Sequence, residues 1–162
     1  MLDAPGLLAK HAGRGVLVDT NLLLLLFVGA VNRKRIETFK RTAAFTAADY
    51  DLLLGLAGHC GRLVTTPHVL AQVSDLAELQ GKERDMLRLL FKTVVEDADE
   101  CYDSARDVIA DPIFLRLGLT DAAIASVCSR GILVLTADVE LHLELQRRGL
   151  DAINFNHLRA TS

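Results

Sequence analysis

Short, continuously apolar runs alternate along the chain with longer segments in which apolar residues recur at helical spacing. The apolar runs predict buried strands over residues 15–18, 63–65, 132–135 and 151–154. The periodic segments predict helices over residues 20–29, 47–58, 67–79, 82–94, 100–110, 121–130 and 138–148. Strands that alternate with helices favour a parallel sheet covered on both faces. We therefore expect an α/β fold, a three-layer α/β/α sandwich around a central, mainly parallel sheet.

Polar residues mark the starts of several predicted helices. Thr46 precedes the helix 47–58 as an N-cap, and Thr66-Pro67 combines an N-cap with proline at the first helical position. Thr120 is expected to cap the helix 121–130 in the same way. The acidic residues 97–100 are expected to open the helix that follows them, because acidic side chains favour a helix N-terminus.

Length and composition bound the protein class. The 162 residues predict one domain over 1–162, in which residues 1–14 are expected to form a loose lead-in. A net charge of −3 means that any nucleic-acid binding must depend on a local basic patch. The 3 cysteines form no CxxC motif, which argues against a disulfide framework or a zinc site. Unpaired cysteines are typical of a reducing compartment, so we expect a cytoplasmic protein.

A leucine-rich run over residues 21–31 raises the question of a membrane segment. Its apolar part falls well short of the roughly 20 residues that a helix needs to cross a bilayer. Asp19 lies two residues before the run, and no signal-peptide cleavage site follows it. We expect no membrane association, and instead a helix over 20–29 that ends near Gly29 and is buried on nearly all sides.

Three aspartates lie where an apolar strand gives way to a helix or where a helix begins. Asp19 follows the first strand, Asp121 opens a helix, and Asp138 follows the strand 132–135. Ligands of parallel α/β sheets bind at the carboxyl ends of the strands, so these side chains are expected to share one pocket. Clustered carboxylates repel each other unless a cation joins them, which favours a divalent-metal site used for phosphodiester hydrolysis. Alternatively, each aspartate only stabilises the start of a helix.

The order and spacing of these motifs resemble the PIN-domain nucleases, whose best-known small members are the toxin ribonucleases of bacterial toxin–antitoxin pairs. The resemblance covers about residues 15–158. In chain order, its motifs are Val18-Asp19-Thr20-Asn21, Thr66-Pro67, Gly118-Leu119-Thr120-Asp121-Ala122-Ala123-Ile124, Leu135-Thr136-Ala137-Asp138-Val139-Glu140-Leu141 and Ile153-Asn154-Phe155. It implies a Mg²⁺- or Mn²⁺-dependent endoribonuclease with Asp19, Asp121 and Asp138 around the metal. It also implies an RNA substrate, an antitoxin or other operon partner, and pairing into a homodimer.

The chain departs from the family at Gln72, where the family usually has a glutamate on the helix after the second strand. Glutamine keeps nearly the same shape but supplies no negative charge and no base. Mg²⁺ depends on carboxylates, so the site is expected to be weakened or inactive. Asp75 lies one helical turn further on and is a possible replacement. An engineered Glu→Gln change remains a third explanation, and an inactive PIN-like module that binds nucleic acid or a partner protein is the alternative function.

Further residues are expected to support the site. Thr20, Asn21 and Thr136 are polar neighbours that could orient the carboxylates by hydrogen bonding. A basic segment is either a solvated loop or a grip on the phosphate backbone; its cations are Arg33, Lys34, Arg35, Lys40 and Arg41. We expect this segment close to the mouth of the pocket. A phosphotransfer protein with Asp19 as nucleophile is disfavoured, because Asn21 stands where such enzymes have a second aspartate.

Overall fold

The computed structural model describes residues 1–160 of the chain. Within these residues, five parallel strands form one sheet flanked by helices, which confirms the predicted α/β sandwich. The strands are Val16–Val18 (β1), Leu63–Thr65 (β2), Asp99–Glu100 (β3), Leu133–Thr136 (β4) and Ala152–Asn154 (β5). The helices are Ala4–Lys10 (α1), Thr20–Val31 (α2), Ala47–Cys60 (α3), Pro67–Leu76 (α4), Gly81–Asp97 (α5), Ala105–Val108 (α6), Ile113–Leu117 (α7), Leu119–Cys128 (α8), Val139–Arg147 (α9) and Phe155–Arg159 (α10), with a short 3-10 helix over Arg33–Arg35.

The sheet has the strand order β3-β2-β1-β4-β5, so the first strand lies at its centre. In the ladder between β1 and β4, Val16 pairs with Leu133 and Val18 with Leu135. All of the pairings are parallel, and the carboxyl ends of the strands therefore share one edge. This register brings the residues after β1 and after β4 side by side, although they are far apart in sequence.

Helix α2 is buried on nearly all sides, as its leucine-rich sequence predicts. Eight of its 12 residues are buried, and the helix packs on α3, α4 and α5. Gly29 does not end the helix but lies inside it, where the ring of Tyr50 would come within 2.2 Å of an added Cβ. Close packing of α2 on α3 therefore requires glycine at this position. Across residues 1–160, no helix combines the length and the apolar character needed to span a bilayer.

The predicted loose lead-in is wrong, because residues 4–10 form helix α1. Asp3 caps this helix by accepting a hydrogen bond of 2.9 Å from the backbone N–H of Gly6. Leu7 is buried in the core, and the ring of His11 lies 2.7 Å from the carboxylate of Asp151. Apolar packing of Leu7 and polar contacts of Lys10 and His11 with Asp151 hold the segment against the body of the protein.

Two further boundaries differ from the prediction. The acidic residues Asp99 and Glu100 form the edge strand β3 and pair with Val64 and Thr65, instead of opening a helix. Backbone pairing with β2 overrides the preference of acidic side chains for helix starts. Helix α8 begins at Leu119, and Thr120 therefore lies inside its first turn and does not cap it. The short helices α7 and α10 were not predicted, because each is only 5 residues long.

Candidate functional site

The three aspartates line one cavity of about 500 Å³ at the carboxyl edge of the sheet. Asp19 leaves β1 and caps α2, Asp138 leaves β4 and caps α9, and Asp121 lies in the first turn of α8. The other polar lining residues are Thr20, Asn21, Gln72 and Thr120. Four separate chain segments thus bring carboxylates and amide groups to one concave surface.

Asp19 is the buried carboxylate of this cavity, with 7% of its surface exposed. Its Oδ1 accepts a hydrogen bond of 2.7 Å from the backbone N–H of Thr20, and its Oδ2 accepts one of 2.7 Å from the hydroxyl of Thr136. Burial raises the pKa of Asp19, and the charge of Asp138 adds to that effect, while the two hydrogen bonds oppose it. Both partners are neutral groups, so they orient the carboxylate without neutralising its charge.

Asp121 behaves differently from a carboxylate that only stabilises a helix start. It makes no side-chain cap on α8, which begins after Gly118, a glycine with a positive φ of 91°. Burial, together with the smaller effects of the charges of Asp19, Asp138 and Glu140, raises the pKa of Asp121 to about 7. A favourable interaction with the helix dipole would lower this pKa instead. The cavity, and not the helix start, therefore determines the electrostatics of Asp121.

Asp138 combines two roles. Its Oδ1 accepts a hydrogen bond of 3.1 Å from the backbone N–H of Leu141, so it caps helix α9 as the simpler interpretation predicts. Its own backbone N–H donates a bond of 2.9 Å to the hydroxyl of Thr136, which in turn donates to Asp19. Thr136 therefore connects two of the three aspartates directly. Asp138 is the exposed member of the set, at the solvent side of the cavity.

Gln72 projects from α4 toward the start of α2. Its Oε1 accepts a hydrogen bond of 2.9 Å from the hydroxyl of Thr20, the residue next to Asp19. The amide thus occupies the wall of the cavity where the resemblance implies a carboxylate. Asp75 is exposed on α4 and is not among the residues that line the cavity in the described chain. Asn21 lines the cavity as an exposed residue.

The donor chemistry of the cavity fits Mg²⁺ or Mn²⁺, which bind carboxylate oxygens and often keep several waters with only one or two protein carboxylates. Burial raises the pKa of Asp121, and the charges of Asp19, Asp138 and Glu140 raise it further; a bound cation would offset this repulsion. The ligand set is nevertheless not preassembled. Among residues 1–160, no group of three or more His, Cys, Asp or Glu side chains is arranged to hold a metal ion.

The basic segment lies at the far end of α2 from Asp19, a helix of 12 residues that is about 18 Å long. None of its cations lines the cavity, in contrast to the expected position at the pocket mouth. Arg33 forms an ion pair with Asp51, Arg35 lies 2.8 Å from Glu83, and Lys40 lies 2.7 Å from Glu78. Most of the positive charge of this segment is therefore already paired with carboxylates of α3, α5 and the turn before α5.

Sequence reasoning missed Glu140, whose charge contributes to the raised pKa of Asp121. The available signal was its spacing, because Glu140 follows Asp138 by two residues and falls in the first turn of α9. It also missed Asn156, which donates a hydrogen bond of 3.0 Å to the backbone carbonyl of Ala137 and so holds the turn that carries Asp138. No local pattern pointed to Asn156, since the contact forms only after β5 and β4 have paired.

Comparisons with known proteins give no relative from which a role could be transferred. No protein-family model matches the sequence, and no curated protein is significantly similar to it. The cavity itself and the resemblance in motif order are therefore the grounds for assigning a function.

Proposed function

We propose that this protein is a metal-dependent endoribonuclease whose reaction centre is the cavity lined by Asp19, Asp121 and Asp138. The observation that supports the proposal is the convergence of these carboxylates, with Gln72, from four chain segments at the carboxyl edge of a parallel sheet. Structural carboxylates are normally paired with cations or used as caps, whereas the pKa of Asp121 is raised by burial and, to a smaller extent, by the charges of Asp19, Asp138 and Glu140. Such an arrangement costs stability and suits a site that binds a cation.

The residues of the cavity have distinct parts in this proposal. Asp19 would be the fixed ligand, because Thr20 and Thr136 hold both of its oxygens. Asp121 and Asp138 would supply the further carboxylate ligands. Bound Mg²⁺ or Mn²⁺ would lower the pKa of an attacking water and neutralise charge on the phosphodiester. The three cysteines of the described chain are free thiols, which suits the reducing cytoplasm where cellular RNA would be the substrate.

A second function, an inactive PIN-like module that binds nucleic acid or a partner protein, is favoured by Gln72. The Thr20 hydroxyl holds the amide by a hydrogen bond, so a neutral group occupies the wall where a carboxylate is expected. Losing one carboxylate lowers both the charge and the number of strong ligands for Mg²⁺. In this alternative the fold and the cavity persist while catalysis is lost.

Cleavage of labelled RNA by the purified protein separates these two functions. The ribonuclease proposal requires cleavage with Mn²⁺, its loss in EDTA, and its loss in Asp19→Asn and Asp138→Asn. Asp85→Asn is a matched control, because Asp85 is an exposed acid on α5 outside the cavity. RNA that stays intact with Mn²⁺, in a preparation that binds RNA, would support the module instead. Cleavage that persists in Asp19→Asn would indicate a contaminating nuclease.

A further inference from the structure

A second cavity of about 440 Å³ adjoins the acidic one. It lies between α7 and α9 and is lined by Arg116, Leu117, Glu140, Leu143, Glu144 and Arg147. Leu117 also lines the acidic cavity, so the two share a wall. Glu140 belongs to the second cavity, and its charge acts on Asp121 in the first. A polymer that enters the acidic cavity from this side would pass over the guanidinium groups of Arg116 and Arg147.

Both arginines form ion pairs with one buried acid, Glu144. Glu144 is 5% exposed, and its carboxylate accepts hydrogen bonds of 2.9 Å from Arg116 and 2.6 Å from Arg147. Arg148 donates a further hydrogen bond of 2.7 Å to Glu144 and is itself bound to Asp111. Hydrogen bonds from Arg147 and Arg148 lower the pKa of Glu144 to about 2, so this acid stays ionised near neutral pH.

Most of the hydrogen-bonding capacity of these arginines remains unused. A guanidinium carries five N–H donors, of which Arg116 gives one and Arg147 two to Glu144. The Arg116 side chain is 61% exposed and that of Arg147 is 70% exposed, so the free donors face solvent. Both guanidinium groups bind Glu144 and keep exposed N–H donors. A guanidinium can donate two parallel hydrogen bonds to the oxygens of a phosphate.

We propose that Arg116 and Arg147 form a binding site for a backbone phosphate of single-stranded RNA, next to the acidic cavity. This inference rests on the proposed function, because it assigns the pocket to the RNA that the acidic cavity would cleave. An acidic cavity repels the polyanion, and the cations of the segment 33–41 lie at the other end of α2 from this cavity. Arg116 and Arg147 line the cavity that borders the acidic one through Leu117, and hydrogen bonds to Glu144 hold both of them there.

Arg116 and Arg147 are suited to mutagenesis because neither single substitution leaves the buried carboxylate of Glu144 without a partner. In Arg116→Ala, Glu144 keeps its bonds from Arg147 and Arg148, and in Arg147→Ala it keeps those from Arg116 and Arg148. Arg116→Lys retains the charge and removes the fork, so it separates charge from geometry. Arg88→Ala is the matched control, since Arg88 is an exposed arginine on α5 away from both cavities.

The experiment measures binding of fluorescently labelled single-stranded RNA in EDTA, over a range of KCl concentrations. Arg116→Ala should weaken binding about tenfold, as expected for the loss of charge-assisted hydrogen bonds. It should also reduce the salt slope by roughly 0.7 per lost phosphate contact. The double variant of Arg116→Ala and Arg147→Ala should lose more RNA affinity than Arg116→Ala alone. Arg116→Lys should lose less affinity, and Arg88→Ala should bind RNA as the wild type does. Glu140→Gln should tighten binding, because it removes a negative charge from the same pocket.

The outcomes separate this inference from the proposed ribonuclease. Equal affinity and equal salt slope in the wild type and the double variant would overturn the phosphate site, even if RNA is cleaved with Mn²⁺. Wild-type protein that binds no RNA in EDTA would overturn it as well. Loss of binding in Arg116→Ala and Arg147→Ala supports it, even if the wild type cleaves nothing with Mn²⁺ and the ribonuclease proposal fails. Circular dichroism melting of each variant identifies any that does not fold, and Arg116→Lys then provides the test.

Discussion

The hydroxyl of Thr136 donates a hydrogen bond of 2.7 Å to the carboxylate of Asp19, across 117 positions of sequence. The same hydroxyl accepts the backbone N–H of Asp138 at 2.9 Å. Thr136 ends β4, and Asp19 follows β1, its neighbour in the sheet. One threonine therefore fixes the relative positions of two acids whose charges repel each other.

Replacing Thr136 by valine should show how much this contact contributes. Valine keeps the shape of the side chain but removes the hydroxyl, so the Asp19 carboxylate and the Asp138 N–H each lose a partner. We expect a loss of about 2 kcal/mol in the free energy of unfolding above pH 7, because hydrogen bonds to charged groups are among the stronger ones. Urea unfolding measures this loss. Thr136→Ser keeps the hydroxyl and is the control; equal stability of the Thr136→Val and Thr136→Ser variants would contradict the assignment.

Asp19→Asn should melt at a higher temperature than the wild type in metal-free buffer near pH 8. The change removes the negative charge of the buried Asp19 carboxyl group, whose pKa is raised by burial and by the charge of Asp138. Adding Mn²⁺ should narrow the difference, because a ligand stabilises only the folded protein that binds it. Differential scanning fluorimetry with Mn²⁺ and with EDTA checks both statements. Melting curves of the wild type that are the same with and without metal would count against a metal site at Asp19.

Asp121 should make metal-free stability depend on pH. Its folded pKa of about 7 lies above the ordinary value of 3.8, so its protonation favours the folded state. This contribution is fully present below about pH 3.8 and is lost as pH rises through 7. Asp121→Asn should therefore unfold with a flatter dependence on pH between these values. Urea unfolding of both proteins in EDTA at several pH values tests this, and parallel curves would show that Asp121 is an ordinary surface acid.

Gln72→Glu should tighten Mn²⁺ binding and raise or create RNA cleavage, because a charged ligand replaces a neutral one of similar shape. The Thr20 hydroxyl can donate to the new carboxylate as it does to the Gln72 amide. Asp75→Asn tests the competing position on the next turn of α4. If Gln72→Glu changes neither metal affinity nor cleavage while Asp75→Asn abolishes both, Asp75 is the ligand. If neither variant changes metal affinity or cleavage, the result supports the inactive binding module and not the ribonuclease. Isothermal titration with Mn²⁺ and an RNA cleavage assay provide the readouts.

The basic segment should contribute less to RNA binding than its sequence predicts. Replacing Arg33, Lys34 and Arg35 by alanine should reduce the salt slope by roughly 0.7, the value for one phosphate contact with a single strand. The reason is that Arg33 and Arg35 are paired with acids, which leaves Lys34 as the free cation among the three in the described chain. A reduction near three times that value would show that RNA displaces both ion pairs and that this segment is a main contact.

The sequence by itself determined the layers of this fold and three of the residues around the cavity. Continuous apolar runs such as residues 16–18 are stable only when they are buried on both faces, and this condition predicts a parallel sheet between helices. An aspartate directly after such a run must lie at the carboxyl edge. Asp19 and Asp138 were therefore placed correctly by periodicity alone, and Asp121 by its position at a helix start.

The tertiary structure decided which of these groups meet and which cations lie beside the cavity. Strand order places β1 beside β4, and the hydrogen bond from Thr136 to Asp19 exists only because of that pairing. The acidic run at Asp99 became a strand because β2 offered an open edge, which no local preference encodes. Ion pairs with Asp51, Glu83 and Glu78 hold three cations of the segment 33–41 away from the cavity, while ion pairs with Glu144 hold Arg116 and Arg147 beside it. Local patterns fix burial and helix starts, but contacts between distant segments depend on how the chain packs.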